Sequence, residues 1–245
     1  MLALVHHMRN LIDKFSTGIL RLVLPVTAFL IPLFFLPITA DFFGLNKKYL
    51  LAIIASLSLI CFLARNIVHR QIKLRLTPST AALLLLSLVF IVSSLIQSPT
   101  PNISLLGKTT LVLALTVIFI SVTSSVKNHS LVNVTFGALI LSTAIASLFS
   151  LGNLTGITSS LFSLDWLKEK TFNPTGGIIP SLSLALPLLP VALFLAIKTK
   201  RSLAKVLLLG SGAILLITAI SQINYFRSLN PMPIISLPFS AGWSI

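Results

Sequence analysis

The chain has 245 residues, of which 56% are hydrophobic and 9% charged, and its 18 Lys and Arg against 4 Asp and Glu give a net charge of +14. So few charged side chains cannot cover a water-soluble domain of this length, which excludes a soluble globular protein and makes membrane lipids the surrounding partner. A nucleic-acid partner is excluded as well, because the cations stand in short clusters between long uncharged segments, as they do beside membrane spans.

Uncharged apolar segments recur along the chain at the length of a membrane span. A helix rises about 1.5 Å per residue and the hydrocarbon core is roughly 30 Å thick, so one crossing takes about 20 residues. After a cytoplasmic N-terminal arm at 1–21, spans are predicted at about 22–39, 49–64, 79–97, 109–126, 131–151, 177–197 and 206–223. The fold class that follows is an all-α polytopic membrane helix bundle of about seven helices, with a transmembrane domain at 22–223.

Proline interrupts the first and the sixth predicted spans, at Pro25, Pro32, Pro37, Pro180, Pro187 and Pro190. Proline has no backbone N–H, so the carbonyl one turn earlier loses its partner within the helix. Inside a bilayer no water can replace that partner, so neighbouring helices must shield the carbonyl.

Two connecting regions carry mixed or loop-like sequence. Between 152 and 171, apolar and charged residues alternate irregularly around Leu161, Leu164, Trp166 and Leu167, which predicts one short external interfacial helix. Residues 224–245 contain three prolines and are predicted to form an external loop.

The Lys and Arg residues divide unequally between alternate loops, and the set that includes 65–75 and 198–205 holds twice as many as the other. Cytoplasmic loops retain an excess of these cations. We therefore predict that the N-terminus lies in the cytoplasm and the C-terminus outside.

Residues with catalytic or metal-binding chemistry are scarce in this sequence. His6, His7, His69 and His129 fall outside the predicted spans among cations, and we interpret them as solvated. Neither a metalloprotease, phosphate-loop nor nucleophile-elbow motif occurs, so no metal and no cofactor is predicted. The spans also lack internal ionisable residues, which argues against a proton-coupled transporter.

Three cations, Lys47, Lys108 and Arg227, lie near external span ends and near proline-rich or irregular backbone. Cations in this position can bind the diphosphate head group of a lipid-linked substrate. The alternative is that each long side chain anchors its helix at the membrane interface by reaching towards water.

Five phrases of the chain carry a resemblance to a known family: LIPLFFLPITADFFGLNKKYLL at 30–51, RLTPST, SPTPNISLLGK, TFNPTGGIIPSLSLALPLLP at 171–190, and the ending LPFSAGWSI. Together they resemble the N-terminal part of the O-antigen ligase and polymerase superfamily. Members are multi-span glycosyltransferases of the bacterial cytoplasmic membrane that accept glycans carried on undecaprenyl diphosphate at the external face. The resemblance therefore implies an inner-membrane enzyme of cell-envelope glycan synthesis whose substrate is a lipid-linked oligosaccharide.

In that superfamily a segment like 240–245 continues into a large external loop that bears the functional Arg and His residues. The present sequence ends at Ile245, so no catalytic residue is predicted. We expect the chain to be a fragment that is inactive alone.

Two other functions remain open from the residues themselves. A transporter or flippase would use a cavity between the proline-broken helices. A non-catalytic membrane assembly subunit would need only packing surfaces, which the Ser- and Thr-rich spans provide.

A topology reporter tests the predicted orientation. Fused at Lys200, within the strongly basic 198–205 link, the reporter is expected to lie in the cytoplasm because cations resist translocation. A reporter at Lys47 serves as the control and is expected outside. An external signal at Lys200 would overturn the orientation.

Overall fold

The computed structural model describes residues 2–34, 44–71, 74–75, 77–96, 105–125, 130–158 and 172–229. In this part of the chain it shows seven α-helices and no strands, with a π-helical turn, Leu105–Thr109, leading into the fourth helix. The helices are α1 Leu2–Leu33, α2 Gly44–His69, α3 Pro78–Ile96, α4 Thr110–Ser125, α5 Ser130–Thr155, α6 Ile178–Lys198 and α7 Ser202–Leu229.

Six of these helices are long and apolar enough to cross a membrane. The seventh, α4, has 16 residues and is preceded by the turn Leu105–Thr109, in which the backbone of Gly107 is not helical. The predicted all-α, multi-pass membrane bundle is confirmed by these helices.

The first helix begins well before the predicted span at 22–39. In place of a separate arm at 1–21, α1 is continuous over 32 residues, and its apolar stretch begins at Leu11. Leu20 is completely buried, and the Asp13 carboxylate is 3.0 Å from the Arg65 guanidinium, so this segment packs as helix despite its charge. Asp13, one of the charged residues that indicated an arm, is therefore partnered by α2, while Lys14 and Arg21 are exposed.

Other helix ends also differ from the predicted ones. The second helix, α2, has 26 residues where a span at 49–64 was predicted, so both of its ends extend beyond a hydrocarbon core of roughly 30 Å. At the other end of the described chain, α7 continues to Leu229, so 224–229 are helical and not loop. Those six residues contain neither Gly nor Pro to end the helix earlier. The predicted interfacial helix around 161–167 and the loop at 230–245 lie outside the described residues.

In α3 the polar side chains are buried and the apolar ones are exposed, the reverse of a helix in a water-soluble protein. Its buried residues are Thr80, Ser87 and Ser94. They recur every seventh residue, so they form one stripe along the helix. The Ser87 and Thr116 hydroxyls are 2.7 Å apart, and the Ser94 and Thr109 hydroxyls 2.6 Å apart. Most of the leucines and valines of α3 are exposed, as expected for a surface in contact with lipid.

The proline at position 32 has the consequence predicted for the first span. Pro32 lies inside α1, so the Ala28 carbonyl has no N–H donor four residues later. The Ser142 hydroxyl of α5 donates to that carbonyl over 3.3 Å. The same hydroxyl lies 3.0 Å from the Leu139 carbonyl of its own helix, so one donor is shared between that carbonyl and the carbonyl that proline leaves open.

Two apolar clusters form the core. One joins α1, α2 and α4 through Val23, Leu51, Ala55, Ala114, Ile118 and Val122. The other joins α5, α6 and α7 through Ile140, Ala185, Leu188, Ala192, Leu195 and Leu215. Because α1 also packs extensively against α5, these two helices connect the two halves of the bundle.

Polar contacts between distant parts of the chain fix the two ends of the bundle. At one end Arg65 binds Asp13 and donates to the Ser125 carbonyl over 2.8 Å, so the end of α2, the beginning of α1 and the end of α4 meet. At the other end Lys47, near the start of α2, contacts the residues just before α6. We call this second end, where α2 and α6 begin, the external end, following the orientation predicted from the cations.

The contact between Ser87 and Thr116 is expected to couple α3 to α4. In a double-mutant cycle of Ser87→Ala and Thr116→Val, measured by unfolding in mixed micelles, we expect a coupling energy of about 1 kcal/mol, as for other hydrogen bonds between membrane helices. The control cycle pairs Thr116→Val with Ser183→Ala, because the exposed Ser183 hydroxyl bonds to the Ile179 carbonyl of its own helix. Equal coupling in both cycles would contradict the assignment.

Candidate functional site at the external end

A short irregular segment, residues 172–177, leads into α6 and is the centre of the candidate site. The Asn173 side-chain oxygen accepts hydrogen bonds from the Thr175 N–H and hydroxyl, both at 2.9 Å, and the Gly176 N–H donates to the Asn173 carbonyl. Gly176 and Gly177 have φ of 109° and 121°, values that glycine adopts without strain. The sequence Asn-Pro-Thr-Gly-Gly thus specifies a tight turn before the helix.

Side chains from α2 and α5 hold this segment in place. The Lys47 ammonium donates to the Pro174 and Thr175 carbonyls, each at 3.1 Å. From α5, the Asn153 amide nitrogen donates to the Phe172 carbonyl at 2.8 Å, and the Phe149 ring meets the Phe172 ring edge to face. Backbone carbonyls that no helix satisfies are thereby paired.

Gln222 of α7 joins three helices beside this segment. Its side chain is completely buried, and its amide nitrogen donates to the Ser150 hydroxyl at 2.9 Å and the Ser181 hydroxyl at 3.3 Å. These contacts bind α7 to α5 and to the first turn of α6. A neutral amide supplies the link, so no charge has to be desolvated.

Several polar atoms of this region are buried without a hydrogen-bond partner: Asn153 Oδ1, Asn173 Nδ2, Gln222 Oε1 and Thr158 Oγ1. Each such atom destabilises the fold by about 1–3 kcal/mol. Both donors and acceptors occur in this set. The external end therefore holds unused hydrogen-bonding capacity that a neutral polar ligand could satisfy.

The structure places the three predicted site residues differently. Lys47 lies against the segment 172–177, where its ammonium donates to two of the chain's own carbonyls. The backbone of Lys108 lies in the π-helical turn, beside the non-helical Gly107, while its side chain is outside the described part. Arg227 is exposed in the last turn of α7, and we find no hydrogen bond from it to any described residue. The described residues therefore do not show the three cations in contact with one another.

Sequence reasoning missed the neutral residues Asn153, Asn173 and Gln222, because it searched for ionisable groups. A usable signal was present. Asn153 and Gln222 are polar amides at the ends of apolar spans, and Asn173 precedes Pro174 and two glycines that require special backbone geometry.

The chemistry available to the described side chains is hydrogen bonding to neutral groups. No three His, Cys, Asp or Glu residues come together in the described ranges. The carboxylate of the described chain, Asp13, and the described His69 ring lie at the opposite end. The described part of the external end thus offers recognition groups and no acid–base pair.

Comparison of the chain with protein-family models, with curated proteins and with solved structures gave no match. The resemblance to O-antigen ligases and polymerases accordingly stays a prediction from the quoted phrases.

Replacement of Lys47 tests its role in the site. Lys47→Gln removes the charged donor to two carbonyls and is expected to destabilise the protein by about 2 kcal/mol, as is usual for hydrogen bonds to a charged group. Thermal unfolding in detergent measures the loss. The control is Lys48→Gln, since Lys48 makes no hydrogen bond that the structure records and should change stability by less than about 0.5 kcal/mol. Equal destabilisation by the two variants would contradict a stabilising role for the hydrogen bonds from Lys47 to residues 174 and 175.

Proposed function

We propose that this chain forms the membrane-embedded part of a glycosyltransferase that binds an undecaprenyl-diphosphate-linked oligosaccharide at the external face of a bacterial cytoplasmic membrane. The enzyme would transfer or polymerise that oligosaccharide, as the resemblance to O-antigen ligases and polymerases implies. The observation that carries the proposal is the set of buried, unpaired amide atoms of Asn153, Asn173 and Gln222 at the external end.

Unpaired amides suit a sugar ligand. Each sugar hydroxyl both donates and accepts a hydrogen bond, and Asn and Gln offer one group of each kind. Asn153 and Gln222 present free acceptors, while Asn173 presents a free donor. Carbohydrate hydroxyls at this position would satisfy atoms that otherwise destabilise the protein, which supports recognition of the glycan part of the substrate.

Lys47 contributes by holding the turn at 172–177 in place. Its bonds to the Pro174 and Thr175 carbonyls fix the backbone that carries Asn173. In this proposal Lys47 is a positioning residue, and contact with the diphosphate falls to cations nearer the solvent. Exposed Arg227 at the end of α7 is a candidate for that contact.

The described external end holds neither a carboxylate nor a histidine, and this proposal assigns the base that activates the acceptor hydroxyl to residues outside the described ranges. In this proposal the described residues take part in binding the lipid-linked glycan. A binding measurement therefore tests their role.

Binding of two probes separates sugar recognition from lipid recognition. The probes are undecaprenyl diphosphate carrying a short oligosaccharide and undecaprenyl diphosphate without sugar, each added to the detergent-purified protein. Asn153→Leu and Gln222→Met are expected to weaken binding of the first probe about tenfold, because sugar hydroxyls lose a buried partner. Binding of the second probe is expected to stay unchanged.

Matched controls come from the same two helices. Asn133 of α5 and Asn224 of α7 are exposed, so Asn133→Leu and Asn224→Leu should leave both probes bound as in the wild type. Equal weakening of both probes by the site variants, or of neither, would refute the sugar role. If the protein in vesicles moved a labelled lipid-linked glycan from one leaflet to the other without transferring the glycan to an acceptor, it would instead be a flippase.

A further inference from the structure

A cationic turn joins α6 to α7 at the end of the bundle opposite the candidate site. Lys198, Lys200, Arg201 and Lys205 lie within eight residues and are all exposed. Asp13, the carboxylate of the described chain, is 3.0 Å from Arg65 and so is engaged elsewhere. The described residues therefore provide the cationic turn with no counter-ion.

An apolar crevice lies on the same helical hairpin. It has a volume of about 250 Å³ and is formed between α6 and α7 by aliphatic side chains and one glycine, chiefly Leu189, Ala192, Leu193, Leu208, Gly212 and Leu216. Small residues create it: a Cβ added at Gly212 would lie 3.7 Å from that of Ala192. The space has room for part of one acyl chain.

The crevice and the cationic turn are continuous along one face of α7. Residues three and four apart share a helix face, so Lys205 stands directly above Leu208 and Leu209, and Gly212 follows one turn later. The Lys205 N–H donates to the Arg201 carbonyl at 3.0 Å, which places Arg201 one turn before Lys205 on that face. Leu208 is only about 4.5 Å along the helix axis from Lys205.

We infer that this hairpin binds one anionic phospholipid, with its phosphate against Arg201 and Lys205 and one acyl chain in the crevice between α6 and α7. The charge of the turn complements a phosphate, and the aliphatic walls complement a hydrocarbon chain. Neither part alone would select this ligand. A soluble anion has no acyl chain to occupy the crevice, and a zwitterionic lipid is attracted less strongly by the cations. The inference is independent of the proposed glycosyltransferase function.

Binding of phosphatidylglycerol to the full chain in neutral detergent tests this inference, with phosphatidylcholine and glycerol phosphate as comparison ligands. Native mass spectrometry and thermal shift report binding. We expect phosphatidylglycerol to bind about tenfold more tightly than phosphatidylcholine, since each cation near an anionic head group adds severalfold affinity. Glycerol phosphate should not bind measurably.

Two sets of variants address the head group and the chain separately. Arg201→Gln combined with Lys205→Gln is expected to abolish the preference for phosphatidylglycerol. Gly212→Leu fills the crevice and should reduce binding of both phospholipids; Ala213→Phe, at an exposed crevice residue, does the same if Gly212→Leu fails to fold. The control removes two exposed cations at the same end, Arg70→Gln with Arg75→Gln, and should leave the preference intact.

Three outcomes would overturn the inference. Equal loss in the Arg70 and Arg75 control would mean that net charge alone attracts the lipid. Stabilisation by glycerol phosphate as strong as by phosphatidylglycerol would exclude a role for the crevice. Cross-linking of two copies that carry Leu193→Cys and Leu216→Cys by a bifunctional thiol-alkylating reagent, with lipid excluded, would show that a second copy occupies the crevice.

Discussion

The structure depends on one constraint: inside a bilayer, every polar group has to find its partner within the protein. This constraint explains why Ser and Thr line the helix contacts while Leu and Val face outward, as in α3. It also explains why the Ser142 hydroxyl meets the carbonyl left open by Pro32. Where the chain leaves helical geometry at 172–177, Lys47 and Asn153 supply the donors that a helix would otherwise provide.

The same constraint gives meaning to the atoms that remain unpaired. Most polar groups in the bundle core are satisfied within their own helix, as the Thr27 hydroxyl is by the Val23 carbonyl. At the external end three amides each use one side of the group and leave the other side unpaired. Buried unpaired polar atoms also occur elsewhere in the described chain, at Thr17, Asn66, Ser125 and Ser147. A bound polar ligand would complete such pairing at the external end, which supports the proposed recognition of a polar substrate there. The opposite end is different in character, since its exposed cations are suited to phosphate.

The fold could be predicted from the sequence because a span is specified by length and charge alone. Each of the seven predicted spans overlaps a described helix, and the differences lie at the ends: Asp13 argued for an arm, although a distant partner, Arg65, allows it to pack. The candidate site was harder to predict. Lys47 was found through its charge, but its partners lie more than a hundred residues away and are backbone atoms, which no sequence pattern reveals. The sequence did not identify the three amides of the site, because a neutral amide cannot be distinguished from any other polar residue until its neighbours are known. These amides are Asn153, Asn173 and Gln222.

The contact between α1 and α5 has a consequence for biosynthesis. Ala28 and Ser142 are 114 residues apart, so at about 5–20 residues per second the ribosome makes the hydroxyl donor roughly 6–23 s after its acceptor. During that interval the Ala28 carbonyl, next to the fully buried Pro32, lacks the neighbour that shields it. Lateral release of the first helix into lipid therefore leaves this carbonyl without the Ser142 contact until the fifth helix is inserted. The contact between α1 and α5 therefore forms late in the biosynthesis of the protein.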